Sequence, residues 1–245
     1  MKRFVGFFLG CVAAVLIGGC VTDKHLSAGG DLLTAATVSN SDLIQMSREM
    51  RAVGDKENTV AQGNNKYAKR LAAMTDKLKK EDGLDLNFKV YLTNNVNANA
   101  TADGSVRVYS GLMDMMTDDE IFYVIGHEIG HVKNEDSLKQ VRVAYLSSGV
   151  IKAAGATSTA VAALTDSQLG DLLNTVVNAQ YSQKSEYDAD LYGYNMMKKY
   201  KVNPNAAVSA LRKIDSLGQS GGVMSSHPNS ADRASRMEGF IKGGK

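Results

Sequence analysis

The stretch TDDEIFYVIGHEIGH, residues 117–131, decides the fold, because it carries the pattern H-E-x-x-H inside an apolar helix. His127 and His131 are four residues apart, so on a helix they lie on nearly the same face and can bind one metal ion. Glu128 follows the first histidine and can act on a water molecule bound to that metal. The stretch therefore predicts hydrolysis by metal-activated water.

A capping box marks the start of this helix, since Thr117 and Glu120 can each satisfy the other's backbone N–H. We expect the helix to begin near Asp118. At about 100° per residue its apolar side chains form one stripe: Ile121, Val124, Ile125 and Val132. Glu128 lies within that stripe, with the two histidines at its edge. A buried polar trio is costly unless it is paired or bound to something.

A catalytic zinc site needs a third protein ligand and one open position. Asn134 and Ser137 stand where the longer pattern H-E-x-x-H-x-x-G-x-x-H requires glycine and histidine, so that class of site is excluded. The acidic pair at 135–136 is too near along the same helix to close a tetrahedral site easily. Asp166 and Asp171 are possible third ligands, but each stands alone in the sequence.

The acidic segment SEYDAD, residues 185–190, is a better source of the third ligand. Glu186 and Asp190 are four residues apart and share a helix face, whereas Asp188 points away. One carboxylate could bind the metal while the other accepts the free N–H of a ligating histidine. Without the H-E-x-x-H helix, this segment would be typical of a solvated acidic helix start.

The motifs HEIGH and EYDAD resemble those of the zinc metallopeptidases related to the CAAX prenyl protease and the heat-shock protease HtpX, which are gluzincins. The stretch 106–118 also matches, and the resemblance extends from about Tyr67 to Arg236. It is strongest to lipoprotein members of the family in the bacterial outer membrane. The resemblance implies an α+β, mainly helical fold, a zincin-type metallopeptidase domain with a small β-sheet beside the H-E-x-x-H helix.

By the same resemblance, one Zn²⁺ ion per chain has three protein ligands: His127, His131 and Glu186. Glu128 is then the catalytic base, and Asp190 is the partner of a ligating histidine. The family also has a His-Pro motif with an arginine beyond it, here His227-Pro228 and Arg233. Either His227 or Arg233 could stabilise the oxyanion. His227 could instead enter the fourth zinc position and keep the enzyme latent.

A small sheet is predicted just before the metal helix. Residues 88–93 alternate as a strand, Asp103-Gly104 predicts a hairpin turn, and residues 106–109 predict the returning strand. In the family this order places an edge strand beside the cleft, where an extended peptide could pair with it. We expect that edge at Asn97 and Ala98. The family reads Asn-Ala-Phe-Ala where this chain has NANA, residues 97–100.

The chain begins with a predicted secretory signal peptide, in which two basic residues precede an apolar run. The run ends in LIGGC, which resembles a lipoprotein signal with Cys20 lipidated. Val21, rather than aspartate, follows and indicates the outer membrane, with the domain facing the periplasm. The alternatives are ordinary signal peptidase cleavage nearby or an uncleaved anchor. We divide the chain into a signal peptide (1–19), a lipid-anchored tether (20–40) and a zinc metallopeptidase domain (41–245).

Composition supports one domain held together by an apolar core. The 2 cysteines are Cys11, in the signal peptide, and Cys20, so the mature domain has no disulfide and no thiolate ligand. Removing 19 of 245 residues leaves 226, enough for a substantial core. Loss of two basic residues with the signal changes 28 basic and 26 acidic residues to 26 of each. The sequence lacks a basic stripe or aromatic platform and does not support nucleic-acid binding.

Apolar periodicity predicts further helices at 41–54, 66–80, 171–200 and 230–241, and another that starts at Asn203-Pro204. Residues 143–164 carry one charged residue, Lys152. They are rich in Ala, Gly, Ser and Thr and would insert poorly into a membrane, so we expect a soluble helix or a lid over the cleft. Residues 218–222 predict a flexible link leading to His227.

These observations predict a zinc metalloendopeptidase, lipid-anchored at Cys20, that cleaves unfolded or misfolded envelope proteins in protein quality control. One alternative is a chaperone or assembly factor that acts with the outer-membrane protein assembly machinery, with proteolysis secondary. The intact metal set favours an enzyme, since a binding module would not need Glu128. A third reading is a zinc amidase acting on cell-wall peptide. The edge strand argues against it, because extended polypeptide suits that geometry better.

Overall fold

The computed structural model of the chain describes residues 38–148, 164–218 and 226–243. The predicted signal peptide, Cys20 and the tether up to residue 37 lie outside these ranges. Residues 149–163 of the predicted lid and 219–225 of the predicted link also lie outside them. Within the described ranges the α+β, mainly helical fold is confirmed, and none of these helices is long and apolar enough to cross a membrane.

The described helices are α1 (Asn40–Glu57), α2 (Lys66–Thr75), α3 (Ser110–Met115), α4 (Asp118–Lys133), α5 (Asp136–Ser147), α6 (Asp166–Asn178), α7 (Gln183–Lys199), α8 (Asn205–Asp215) and α9 (Ser230–Gly243). The strands are β1 (Asn87–Tyr91), β2 (Ala98–Ala100) and β3 (Ser105–Tyr109). The sheet thus lies between α2 and α3 in the chain, just ahead of the helix that carries HEIGH.

The three strands form one sheet in the order β1-β3-β2. The Asp103-Gly104 turn joins β2 to β3, which pair antiparallel, whereas β1 runs parallel to β3. The predicted hairpin turn is confirmed, but the strand that pairs with β3 across it is β2 rather than β1, because residues 92–97 first carry the chain to the far side of β3. Gly104 has a φ of +84°, and a Cβ there would lie 2.1 Å from the carbonyl oxygen of Asp85. Only glycine fits this turn.

Helix α4 begins where the capping box predicts. Thr117 Oγ1 accepts the Glu120 N–H at 3.4 Å, and Glu120 Oε2 accepts the Thr117 N–H at 2.7 Å. Residues 120–132 are all buried, which is wider than the single stripe that the sequence predicts. The reason is that α4 packs against α7, α8, β2 and β3 at once. This central position removes the metal-binding motif from solvent.

Two apolar cores stabilise the molecule. The larger core lies around α4, between the sheet and helices α2, α7, α8 and α9. The smaller core joins α1, α5 and α6. Helix α1 is also fixed to the sheet, since Asp55 accepts hydrogen bonds from Arg107 at 2.8 and 2.9 Å and from Lys89 at 2.7 Å. The smaller core is therefore fastened to the sheet that precedes the metal helix.

Some predicted helix boundaries are wrong. The helix predicted at 171–200 is two helices, separated by residues 179–182. Ser182 ends this break by accepting the Ser185 N–H at 3.1 Å, so that α7 starts with its own cap. The helix predicted to reach residue 80 ends at Thr75 and continues as short 3₁₀ turns. The break before α7 frees that helix to pack along α4.

Candidate metal centre

Four side chains from three parts of the chain meet in one buried cluster. Helix α4 supplies His127 and His131, α7 supplies Glu186, and the segment before α9 supplies His227. Their ligand atoms all lie within 4.8 Å of one another, and each residue is at most 4% exposed. The structure therefore brings the three predicted ligands together and places His227 among them.

The spacing of the donor atoms fits one small cation. His127 Nε2 lies 3.1 Å from His131 Nε2 and 3.1 Å from His227 Nδ1. Glu186 Oε1 lies 3.0 Å from His227 Nδ1 and 3.3 Å from His131 Nε2. Donors bound to zinc in a tetrahedron at about 2.0–2.1 Å are about 3.3 Å apart. The four side chains therefore match a tetrahedral zinc site.

Small residues allow α4 and α7 to approach closely enough for Glu186 to reach both histidines of α4. A Cβ at Gly126 would lie 2.9 Å from the Cα of Gly193, and a Cβ at Gly130 would lie 3.0 Å from the Cα of Ala189. Such distances leave no room for a larger side chain without a shift of one helix. The glycines of the HEIGH helix thus determine the width of the metal centre.

Both histidines of α4 have a carboxylate at the outer ring nitrogen. His127 Nδ1 lies 2.9 Å from Asp190 Oδ1, the residue predicted for this place. His131 Nδ1 lies 3.3 Å from Asp136 Oδ2. A carboxylate in this position holds the tautomer whose Nε2 is free to bind a metal. The two Nε2 atoms accordingly point at each other across the cluster.

Asp136 reaches His131 because α4 ends at Lys133 and the chain reverses. Glu135 has a left-handed φ of +59°, and Asp136 then starts α5. The assumption that residues 135–136 continue the same helix is wrong, and it hid the role of Asp136. A signal existed in the sequence, since His131 needs an acceptor at Nδ1 and Asp136 is a nearby carboxylate.

Arg233 lies on α9 behind the cluster and is 3% exposed. Its Nε and Nη2 donate to Asp190 at 2.8 and 2.6 Å, and its Nη1 forms an ion pair with Glu186. Burial would raise the pKa of Asp190, but the charge and hydrogen bonds of Arg233 outweigh it and hold that pKa well below its usual value. All three guanidinium nitrogens face carboxylates. The predicted role of Arg233 at the oxyanion is not tested by these contacts and stays a prediction.

Glu128 points into the same cluster and is 1% exposed. Among the described residues, neither of its carboxylate oxygens has a hydrogen-bond partner. His227 Nε2 lies 3.4 Å from Glu128 Oε1, beyond a normal hydrogen bond for this pair. A buried carboxylate without a hydrogen bond is costly, so the site is incomplete without a further group beside Glu128.

The cluster carries an excess of negative charge. Its carboxylates are those of Glu128, Asp136, Glu186 and Asp190. Burial lowers the pKa of His131, but hydrogen bonds to Asp136 and Glu186 outweigh it and raise that pKa to about 9. Burial and the charge of Arg233 lower the pKa of His127. His131 is therefore protonated at neutral pH unless a metal ion takes the place of its proton.

Tyr181 is a site residue that the sequence reasoning missed. It lies in the break between α6 and α7, and its ring stacks on His131 with centroids 3.7 Å apart and planes at 7°. The centroid of the His227 ring lies 5.2 Å from the centroid of the Tyr181 ring. Residues 179–182 contain neither proline nor glycine, so the capping residue Ser182 is the one local signal of the break that places Tyr181 here.

The predicted substrate edge lies at β2, an outer strand of the sheet that packs against α4. Ala98 is fully buried, and its N–H donates to Asn97 Oδ1 at 2.9 Å. Asn99, in place of the family's phenylalanine, accepts a hydrogen bond from Arg51 Nη2 of α1 at 2.7 Å. The polar substitution therefore has a polar partner from α1.

Several known proteins are similar to this chain in sequence, two of them over most of its length. The profile of peptidase family M48 matches residues 64–241. Metalloprotease YcaL of Escherichia coli is 38% identical over 242 residues, 95% of each chain. Metalloprotease LoiP of the same organism is 38% identical over 228 residues, 91% of this chain and 90% of that protein. A protease HtpX homolog of Methanopyrus kandleri is 33% identical over 136 residues, 47% of this chain and 38% of that protein.

Proposed function

Because this chain belongs to peptidase family M48 and is a metalloprotease, we propose that it is a zinc endopeptidase that cleaves unfolded or misfolded proteins of the cell envelope. The observation that carries the proposal is Glu128, a buried carboxylate without a hydrogen-bond partner among the described residues. It lies beside a donor set whose spacing suits zinc. A site that served only to bind polypeptide would gain nothing from such a group.

In this proposal one zinc ion is held by three side chains: His127, His131 and Glu186. When bound, zinc would act as a Lewis acid that polarises the peptide carbonyl and lowers the pKa of a water molecule towards neutrality. Asp190 and Asp136 orient the two imidazoles from behind. Arg233 forms an ion pair with the third ligand and so keeps that carboxylate in place.

Glu128 acts as the general base. Its carboxylate accepts a proton from the attacking water and delivers it to the nitrogen of the leaving amine. Burial keeps bulk water away from this carboxylate, so its charge acts at full strength on the reacting groups.

His227 controls access to the centre. Its Nδ1 completes a set of four donors, whereas a catalytic zinc site keeps one position open for water or substrate. We therefore propose that the four-donor arrangement is latent and that His227 withdraws when substrate binds.

The substrate is proposed to bind as an extended strand along β2. Pairing there would use the backbone groups of Ala98 and displace the side chain of Asn97, since the Asn97 carbonyl already accepts a hydrogen bond from the Tyr109 N–H of β3. The Ala98 N–H is held by the Asn97 side chain, which a substrate carbonyl could replace with a hydrogen bond of the same kind. Unfolded polypeptide suits such a site, because its backbone groups are free to pair.

Attachment to the membrane is part of the proposal. The lipoprotein-like sequence LIGGC supports lipidation at Cys20, and Val21 supports the outer membrane with the domain in the periplasm. Two or more acyl chains make such an anchor durable. Incorporation of labelled palmitate into the wild type but not into Cys20→Ser would support it, and equal incorporation into both would refute it.

The decisive experiment is digestion of casein by the full chain in detergent, loaded with one equivalent of zinc, beside Glu128→Gln. We expect the wild type to cleave casein at internal bonds and the variant to lose at least about a hundredfold in rate, the usual contribution of a general base. Glu128→Gln keeps the size of the side chain and every metal ligand, so zinc content serves as its control.

Two other outcomes would contradict the proposal. Equal cleavage by both forms would indicate a contaminant and remove Glu128 from the mechanism. If neither form cleaves casein but both suppress aggregation of an unfolded outer-membrane protein, the chaperone alternative would replace the proposal. That alternative draws its support from the closed four-donor set, and it predicts no difference between the two forms.

A further inference from the structure

We infer that Tyr181 is a positioning residue for the metal centre: its ring fixes the plane of the His131 imidazole, and its backbone holds the segment that carries His227. The inference rests on the proposed zinc site and adds a residue that acts through two of its donors. Tyr181 belongs to neither of the two motifs, and it lies five residues before Glu186.

At its outer ring nitrogen, His131 is held less firmly than His127 by hydrogen bonds. His127 Nδ1 is 2.9 Å from Asp190, which Arg233 and Tyr123 fix in turn. His131 Nδ1 is 3.3 Å from Asp136. On the outer side of the ring this is one long hydrogen bond, whereas the contact of Nε2 with Glu186 at 3.3 Å is one that a bound metal ion would replace. His131 therefore needs a second restraint to keep its Nε2 directed at the cluster.

Tyr181 supplies that restraint through its ring. The centroid distance of 3.7 Å and the angle of 7° mean that the phenol covers the whole face of the imidazole. The Tyr181 hydroxyl lies 3.4 Å from Ser137 Oγ at the start of α5, so the ring is itself held at its far end. A flat contact of this size fixes the plane of the ring it covers.

A cavity of about 380 Å³ lies beyond Tyr181, between α5 and the break before α7. Tyr181 and Asp136 form part of its wall, together with Val143 and Ala144 of α5. Removing the phenol would join this space to the face of His131.

Tyr181 also contacts the chain directly before His227. The Tyr181 N–H donates to the Ser226 carbonyl oxygen at 3.2 Å, and Ser226 directly precedes His227. Ser226 is 4% exposed, so this bond is shielded from water. One residue thus touches His131 with its ring and fixes the chain next to His227 with its backbone. Loss of the ring would therefore remove the contact with His131 and leave this backbone bond in place.

The test compares Tyr181→Ala with Tyr181→Phe in the full chain in detergent. The phenylalanine keeps the stack and loses only the contact with Ser137, so zinc affinity should stay within about twofold. The alanine should weaken zinc binding about 10- to 100-fold, as loss of a ligand's supporting group does. Zinc affinity is measured by competition with a chromogenic chelator. The visible absorption of the cobalt-loaded protein reports the donor geometry and should change only in the alanine variant.

Two further variants separate the effect of the flat ring from a general loss of packing. Tyr181→Leu fills space without a flat face, and it should follow the alanine variant rather than the phenylalanine. Tyr67→Ala removes a tyrosine whose hydroxyl bonds Asp114, remote from the cluster, and should leave the cobalt spectrum unchanged. Wild-type zinc affinity and spectrum in Tyr181→Ala would overturn the inference while the proposed function stands. A wild type that binds no zinc would overturn the proposed function and the inference with it.

Discussion

His227 is the residue on which the proposed opening of the metal centre depends. Its Nδ1 lies 3.1 Å from His127 Nε2 and 3.0 Å from Glu186 Oε1, as close as the other donors lie to one another. Its other nitrogen faces Glu128 at 3.4 Å. In the proposed mechanism this imidazole therefore occupies the position that water or substrate needs and covers the base.

Replacing His227→Ala should open the centre at the expense of one donor. We expect weaker zinc binding, by about tenfold or more, together with faster casein cleavage once zinc is saturating. Rates at several zinc concentrations separate the two effects. Cleavage that falls about 10²–10³-fold at saturating zinc would contradict the gate and identify His227 as the oxyanion donor instead.

The residues of the centre differ in how far the sequence reveals them. His127, Glu128 and His131 are close in the chain, and one helix turn relates them, so local geometry suffices. Asp136 can be predicted as a site residue only if the helix is known to stop at Lys133. The residue after the helix with a left-handed backbone is Glu135, not a glycine, so the sequence does not mark the stop. Tyr181 depends on packing between distant segments, which no local pattern records.

At the scale of elements, the crossing of α4 and α7 sets the geometry of the centre. Gly126 and Gly130 of α4 face Gly193 and Ala189 of α7. Because His127 and His131 follow these glycines directly, any change in helix separation moves the histidines relative to Glu186. The periodic apolar pattern predicts a buried helix, but it does not predict which helix lies against it or how closely.

Gly126→Ala is expected to widen this crossing. The added Cβ would lie 2.9 Å from the Cα of Gly193, so one helix must shift, at a cost of about 1–3 kcal/mol in the free energy of unfolding. Zinc affinity should fall as Glu186 moves away from the histidines. Urea unfolding and chelator competition measure the two effects.

Gly239→Ala on α9 is the matched control, because a Cβ there would meet nothing within 4 Å. In a helix the alanine should leave stability unchanged or raise it by up to about 1 kcal/mol. If Gly126→Ala behaves like this control, the glycine is not needed for the close approach of α4 and α7.

At the scale of the whole molecule, helix α1 joins the smaller core to the sheet. It packs on α6 and α5, and it reaches the sheet through Asp55 and Arg51. The sequence predicts α1 as an amphipathic helix, but not its partner. Arg107 lies in a strand with apolar neighbours, and only the tertiary structure shows that it meets Asp55 from a helix more than fifty residues earlier.

Asp55 makes this attachment dependent on pH. Burial would raise its pKa, but hydrogen bonds from Arg107 and Lys89 outweigh it and hold the pKa well below its usual value. A carboxyl with a lowered folded-state pKa stabilises the protein above its unfolded pKa of about 3.9, and the contribution is lost as pH falls below it. Arg107 is 2% exposed, so loss of the Asp55 charge leaves a buried cation without its partner.

Asp55→Asn should therefore lower the free energy of unfolding by about 3 kcal/mol at pH 7, and by progressively less below about pH 4, where the unfolded wild type binds a proton that the folded carboxylate resists. Urea unfolding at three pH values in the presence of a chelator measures this without a contribution from metal. Asp166→Asn is the control, because its ion pair with Lys56 has side chains 72% and 69% exposed and should contribute little at any pH. An equal loss at pH 7 and pH 3 would show that Asp55 acts through packing rather than through its charge.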